Sequence, residues 1–315
     1  MRFEEKPVLL GRSNVSVMPL GLGTWTWDSE GQYNPGRDYK EEDLRASFQV
    51  SLKNGINFLD TAELYGNGSV ETLLGRLIKE AGAKVVVASK FPPFRTRFLK
   101  RHLLTSLRNG LHRMGLQHFD LYQTHFHFRF VSLRIWMNAL ADAVKEGLTQ
   151  AVGTSNYSAL QLRTASELLA RKGVPLATTQ SEYSLLHRQP EGNGVVDTSN
   201  DLGITLLAYS PLAMGLLTGK FTSANPPPGQ RGQRFGTEYL TKIQPLLELL
   251  REIGQGHGGK TPAQVSLNWV ICKGAIPIHG AKNARQAEEN AGALGWRLTP
   301  DEIRALDDAS GPLQI

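Results

Sequence analysis

From near its start to near its end, the chain alternates between short runs of β-type residues and longer segments of helical spacing. Eight such runs stand out: MPLGLGTW, INFLDTA, KVVVASKF, FDLYQTH, QAVGTSN, ATTQSEY, ITLLAYSP and GAIPIHG. The segments between them, such as EEDLRASFQVSLKNG, SVETLLGRLIKEAG and LRIWMNALADAVKEG, repeat apolar residues every three or four positions. Several close on glycine (Gly55, Gly82, Gly115, Gly147 and Gly173), the residue that best tolerates the left-handed end of a helix. KVVVAS and ITLLAY are continuously apolar, as parallel strands covered on both faces require. Eight strand–helix units in 315 residues predict one α/β domain over 1–315, a closed (β/α)8 TIM barrel. An open doubly wound sheet would want a G-x-G-x-x-G turn after its first strand, and GLGTWTW lacks the second half.

Ahead of the first strand, PVLLGRSNVSV reads as a β-hairpin around Gly11 and Arg12 that plugs the barrel's bottom. Extra helices are expected in the C-terminal part. The stretch LTGKFTSANPPPGQRGQRFGTEYL breaks the repeat with three prolines and several glycines, and is expected to be a long loop of functional kind.

Composition narrows the class of protein. Hydrophobic residues at 40% and charged residues at 20% suit a folded globular chain rather than a disordered one. The single cysteine, Cys272, excludes an internal disulfide framework and a cysteine-rich zinc site. No run of about 18 apolar residues is present, and the first residues lack a signal-peptide core, so a cytoplasmic protein is expected. An organellar location stays open if a transit segment was removed. The net charge of +6 is concentrated in one place: no acidic residue lies between Glu80 and Asp120, while Arg95, Arg97, Lys100, Arg101, Arg108 and Arg113 do. A solvated helix face explains that run more simply than a docking patch for an anionic partner, and neither nucleic acid nor membrane is expected as a partner.

Barrel enzymes place their chemistry at the C-terminal ends of the strands. In order, those ends carry Trp25, then Asp60 with Tyr65, Lys90, His125, Ser155 with Asn156, Gln180, Tyr209 with Ser210, and Gly280 to Lys282. Asp60, Tyr65, Lys90 and His125 can move or bias a proton. A phenol near pKa 10 is a weak acid at neutral pH, but a neighbouring ammonium favours its phenolate. Lys90 is positioned to supply that charge, Asp60 to hold Lys90, and His125 to donate to a substrate oxygen. Such a set protonates a carbonyl oxygen while a reductant attacks its carbon. His125 and His127 have the spacing of a metal pair, but where such sites need further histidines on later strands these ends carry Ser155, Asn156 and Gln180, so no metal is expected and an organic cofactor must supply hydride. Around the last strand, Gly280 and Ala281 precede a helix whose amides suit a phosphate, with Lys282, Arg285, Gln286, Glu289 and Asn290 following.

At these residues the sequence resembles an aldo-keto reductase. The matching blocks are GLGTW, FLDTAELYG, SKF, DLYQTH, VGTSNYS, AYSPLAMGLLTGKF and IPIHGAKNARQAEENAGALGW, in order along nearly the whole chain. The nearest likeness is to the plant and cyanobacterial branch that includes pyridoxal reductase. The resemblance implies a monomer or weak homo-oligomer that reduces small carbonyl substrates with NADPH, Tyr65 being the proton donor and Asp60, Lys90 and His125 its partners. It further implies Ser155, Asn156 and Gln180 on the nicotinamide carboxamide and Tyr209 against its ring. Ser210, Pro211, Leu212, Ala213, Gly215 and Lys220 would follow the pyrophosphate, and Gly280, Lys282, Gln286, Glu289 and Asn290 the adenosine end, with Lys282 on the 2′-phosphate. Gly23, Thr24, Trp25 and Asp60 complete the expected cofactor contacts, and Arg231, or else Arg234, would close over it.

Two departures from the pattern bear on substrate. His125-Phe126-His127 stands where relatives often read H-W-P, and His279 stands where they often have a second proline. Trp25, Tyr65, Phe91, His125 and Phe126 are expected to bind substrate, with Trp27, Tyr33, Phe94 and Phe128 as further aromatic walls. That cleft suits aromatic or pyridoxal-like aldehydes. The competing functions are a slow-turnover, NADPH-binding redox-sensing subunit on the same fold, a Schiff-base aldolase using Lys90, and a basic nucleic-acid-binding module.

Overall fold

A computed structural model describes residues 4–28, 39–228 and 230–315, the side chains of Gln230 and Arg231 excepted. Tyr33 and the Arg231 side chain, both expected near the site, lie outside the described residues. Strands β1 (Val8–Leu9) and β2 (Ser16–Val17) pair antiparallel. The next eight are β3 (Gly21–Gly23), β4 (Phe58–Asp60), β5 (Val86–Phe91), β6 (Phe119–Thr124), β7 (Thr149–Ser155), β8 (Leu176–Glu182), β9 (Thr205–Tyr209) and β10 (Ile276–Gly280). They form a closed parallel barrel in chain order, β10 pairing with both β9 and β3. This is the (β/α)8 barrel that the repeat predicts.

Helices α1 (Glu41–Lys53), α2 (Ser69–Ala81), α3 (Lys100–Met114), α4 (Leu133–Lys145) and α5 (Ala159–Ala170) connect the first strands of the barrel. The short α6 (Gln189–Gly192) and α7 (Val195–Leu202) join β8 to β9. Among the described residues, four α-helices lie between β9 and β10: α8 (Gln230–Arg234), α9 (Thr237–Lys242), α10 (Gln244–Gly256) and α11 (Pro262–Cys272). Helices α12 (Ala284–Ala291) and α13 (Pro300–Ser310) follow the last strand. The long loop expected after the seventh strand is therefore partly helical, since α8 falls inside it and α9 begins within it. Helix starts are written locally. At α11, Thr261 Oγ1 accepts from the Gln264 amide at 3.3 Å, Gln264 Oε1 accepts from the Thr261 amide at 2.9 Å, and Pro262 occupies the first turn.

Successive strand side chains point to opposite faces. Leu59, Val87, Tyr122 and Val152 join Trp136, Leu140 and Leu107 in the layer between strands and helices. Phe58, Ala88, Leu121, Ala151 and Ile278 face the barrel's interior, where Leu10, Val15 and Val17 of the hairpin close the bottom. The Gly11 amide donates to Thr205 Oγ1 at 2.7 Å, at the start of β9. Two residues further along the same faces, the interior turns polar: Phe58 leads to Asp60, Ala88 to Lys90 and Leu121 to Gln123. Between β7 and β8 the register shifts by one at Val152 and Gly153, so that Gly153 pairs with Thr178 and Ser155 with Gln180. Among the described residues, no helix is long and apolar enough to cross a membrane.

Candidate active site

A cleft of about 790 Å³ opens over the C-terminal end of the barrel, and Asp60, Tyr65, His125, Ser155, Asn156, Gln180 and Tyr209 line one part of it. Lys90 is fully buried beneath. Its ammonium donates to Asp60 Oδ1 at 2.5 Å, to the Thr61 carbonyl at 3.0 Å and to the Tyr65 hydroxyl oxygen at 3.4 Å. The second Asp60 oxygen accepts from Gln180 Nε2 at 2.9 Å. The rings of Tyr65 and His125 meet edge to face, with centroids 6.0 Å apart. Four residues from three strands and one turn thus converge on a single point of the cleft.

The electrostatics follow from burial and charge. Burial draws the Lys90 ammonium down, yet the Asp60 carboxylate and the Tyr65 hydroxyl outweigh it and leave its pKa above the ordinary value. Lys90 therefore keeps its charge. The Tyr65 phenol is raised by burial, with Lys90 pulling it down and Asp60 pushing it up. This reverses the direction expected from the ammonium alone: burial wins, and the phenol holds its proton throughout the neutral range. A phenol so held can serve as an acid, and a fixed ammonium beside it can stabilise a phenolate. His125 is pushed down to about 3, by burial first and then by the Lys90 charge, so the ring is neutral and can donate a hydrogen bond without bringing a charge.

The expected cofactor contacts mostly share this cleft. Gly23, Trp25, Ser210, Pro211, Leu212, Gly215, Lys220, Gly280, Lys282, Gln286, Glu289 and Asn290 all line it. Asn156, in a left-handed backbone conformation, donates to the His125 carbonyl at 3.1 Å and to Ser155 Oγ at 3.1 Å, and accepts from the Tyr209 hydroxyl at 3.0 Å. Burial is the main reason the Tyr209 phenol is pushed up to about 12. Thr24 and Ala213 are placed behind the surface, both buried, and Thr24 Oγ1 donates to the Asp60 carbonyl at 3.1 Å.

The cleft fits an elongated phosphorylated cofactor. Ser210, Ala213 and Met214 have φ between 47° and 55°, and Gly215 has φ 92°. A turn this rich in left-handed residues is the kind of backbone in which anion-binding concavities are built. Thr26 also lines the cleft, its Oγ1 buried with no hydrogen-bond partner among the described residues. A side chain at Gly280 would press on the Thr26 side chain at 3.0 Å, so the backbone there stays bare. Beyond it, Lys282 stands two residues ahead of α12 with its ammonium 4.8 Å over the Tyr39 ring.

Several aromatic expectations need correction. Phe91 does not face the cleft; it is fully buried in the outer layer, 5.0 Å from Trp136 and under the Arg97 guanidinium at 4.7 Å. Strand alternation is the cause, because Lys90 points inward and its neighbour must point out. Trp27 is likewise buried, donating to the Ala281 carbonyl at 2.9 Å. Trp25 stands half-exposed on the rim, and Phe126 packs beside His125 and against Phe94 at 5.9 Å. Phe128 packs instead against Phe130 at 5.5 Å. Asp28, Leu64, Glu182 and Met214 also line the cleft without having been singled out. Of these Glu182 was within reach, since it lies two residues past Gln180 on the same strand face.

The chain belongs to the aldo/keto reductase family, whose model matches residues 19–310. It is thus an oxidoreductase of a family that works with nicotinamide cofactors. Among its relatives, the chloroplastic pyridoxal reductase of Arabidopsis thaliana is 39% identical over 312 residues, covering 94% of this chain and 84% of the plant protein. The L-glyceraldehyde 3-phosphate reductase of Escherichia coli strain K12 is 32% identical, over 97% of this chain and 93% of its own. Among solved structures, the thermostable aldo-keto reductase Tm1743 with the inhibitor epalrestat superposes with a TM-score of 0.78 at 29% identity, covering 96% of this chain and 99% of that one. The glycerol dehydrogenase AKR11B4 of Gluconobacter oxydans, at 23% identity and a TM-score of 0.82, shares the fold.

Proposed function

We propose that this chain reduces aldehydes to alcohols with NADPH, Tyr65 giving the proton that the carbonyl oxygen requires. The observation that carries this reading is the Asp60–Lys90–Tyr65 chain of hydrogen bonds at the floor of the cleft, with His125 beside it. The bound cofactor would supply hydride. The protein's own residues do the rest. Neutral His125 orients the carbonyl oxygen, Tyr65 transfers its proton to that oxygen, and Lys90, anchored by Asp60, stabilises the phenolate. Ser155, Asn156, Gln180 and Tyr209 are proposed to hold the nicotinamide end, the turn from Ser210 to Lys220 the pyrophosphate, and Lys282, Gln286, Glu289 and Asn290 the adenosine end. Lys282 is the proposed contact to the 2′-phosphate and hence the basis of the choice of NADPH.

Substrates are proposed to be aromatic or pyridoxal-like aldehydes. Trp25, Leu64 and Met214 give the cleft that Tyr65 lines some apolar wall, and the Arabidopsis relative is named for its action on pyridoxal. The test is NADPH oxidation by the purified chain across pyridoxal, nitrobenzaldehydes, methylglyoxal and small ketones. Turnover fastest on the aromatic aldehydes is expected. Tight NADPH binding with negligible turnover on every compound would instead fit a regulatory subunit.

A further inference from the structure

The cationic run from Arg95 to Arg113 has no part in the chemistry above, and the structure shows where much of its charge goes. Lys100 pairs with Asp142 and Arg108 with Glu146, in half-exposed bridges between α3 and α4 or its C-terminal end. Arg97 and Arg113 turn elsewhere, to the segment between β4 and β5 that carries Tyr65. Arg97 Nη1 lies 2.9 Å from Glu63 Oε2, and Ser106 Oγ donates to the same oxygen at 2.6 Å. Arg113 reaches Glu71 in the first turn of α2, its Nε donating to Oε2 at 2.8 Å and its Nη2 lying 2.5 Å from that atom. Glu71 is 1% exposed, and its other oxygen accepts from Ser89 Oγ at 2.6 Å. Ser89 is the residue before Lys90 on β5. It faces the helices while Lys90 faces the interior.

The turn that follows Tyr65 is one the chain would not adopt unaided. Gly66, Asn67 and Gly68 have φ of 54°, 50° and 91°, three left-handed residues in succession. A non-glycine residue there costs roughly 1–2 kcal/mol. The Arg113 guanidinium lies against the Gly68 α-carbon, so close that a side chain at that position would sit 2.7 Å from Nε. One buried carboxylate, Glu71, therefore ties the end of the Tyr65 turn to the strand that holds Lys90, and Arg113 clamps both.

We propose that Glu71 and Arg113 are positioning residues that hold the Tyr65 hydroxyl against the Lys90 ammonium, on the reading of Tyr65 as proton donor given above. Removing the arginine leaves a buried carboxylate without its cation, a costly state that the segment relieves by shifting outward to water. A displacement of about 1 Å at a reacting group lowers the rate about 10²-fold.

The experiment compares wild type with Arg113→Met, Arg113→Lys, Ser89→Ala and Arg108→Ala, each measured for kcat, KM, NADPH affinity by fluorescence, and the pH profile of kcat. Arg113→Met is expected to lose about 10²-fold in kcat with unchanged NADPH affinity, and Arg113→Lys to recover part of the loss. The alkaline limb should move to lower pH in Arg113→Met, because burial, the largest influence holding the phenol's pKa up, is relieved as the segment shifts outward to water. Ser89→Ala, which keeps the ion pair and the fold, should move that limb the same way by less. Arg108→Ala, from the same helix, should match wild type. A wild-type kcat and an unmoved limb in folded Arg113→Met would overturn the proposal, and an unmoved limb in Ser89→Ala would do so should Arg113→Met fail to fold. A wild type that reduces no aldehyde fails the reading of the site. A wild type that turns over beside an equally fast Arg113→Met fails the clamp alone.

Discussion

The two ends of the barrel are built from the same strands and differ in nearly everything else. At the bottom, Leu10, Val15 and Val17 of the hairpin meet Phe58, Ala88, Leu121 and Ile278 in a hydrocarbon plug. At the top, one inward position further along, Asp60, Lys90 and Gln123 replace them, all buried. Hydrophobic contacts need only volume and shape, whereas the charges above them need partners at hydrogen-bond distance: a buried ion pair that loses one member costs about 3–5 kcal/mol. Asp60 meets that demand with Lys90 on one oxygen and Gln180 on the other. The plug gives stability without specifying chemistry, and the top holds reactive groups at a cost that the plug offsets.

Variants confined to one end should therefore change one property and spare the other. At the top, Lys282→Ala should weaken NADPH about 10- to 100-fold, the loss of one charge-assisted contact, while NADH binding and thermal stability stay nearly unchanged. Equal weakening of both cofactors, by titration of nicotinamide fluorescence, would remove the phosphate role. At the bottom, Gly11→Ala should lower unfolding stability by about 1–3 kcal/mol with kcat untouched. Gly11 has φ of 53° and its α-carbon abuts the Ala177 carbonyl, so the added methyl has neither the backbone conformation nor the room it needs. Denaturant titration beside a turnover assay checks it.

His279 gives a smaller, pH-dependent effect. It is fully buried in β10, neither ring nitrogen has a hydrogen-bond partner among the described residues, and burial pushes it down to about 4. An unfolded imidazole takes its proton near pH 6.5, so between about 6.5 and 4 the unfolded chain binds more protons than the folded one. Stability should fall as acid is added across that window, by at most about 1.4 kcal/mol per pH unit from this residue. His279→Leu should flatten the decline, read from melting temperatures at pH 7 and pH 5. His125, held down to about 3, adds a second contribution of the same sign that the variant leaves in place.

Much of the barrel could be read directly because each strand–helix unit carries its own signals. Gly55, Gly82 and Gly115, read as helix ends, all have positive φ. Asp60, Tyr65, Lys90 and His125 were legible as strand-end and turn residues of a closed repeat, and the structure brings them together. What escaped was whatever depends on orientation or on distant partners. Phe91 was placed in the cleft by nearness in sequence, where the alternation of strand side chains sends it outward. Extra helices are expected in the C-terminal part, but α10, QPLLELLREIGQG, lies outside the eight-unit repeat and its place is not given by it. The basic run read as a solvated face because its acids, Glu63, Glu71, Asp142 and Glu146, are 30 or more residues away in the chain. The direction of the Tyr65 shift could not be read either, since the ammonium is visible in sequence and the burial opposing it is not.

The proposed chemistry turns on the Tyr65 phenol donating the proton that accompanies hydride transfer. Its most direct test is a single-turnover measurement of NADPH oxidation by Tyr65→Phe against wild type, with a saturating aromatic aldehyde and cofactor affinity measured on the same preparations. The rate should be lower by about 10²- to 10⁴-fold with NADPH affinity preserved. A phenylalanine variant that oxidises bound NADPH within a few-fold of the wild-type rate would contradict it.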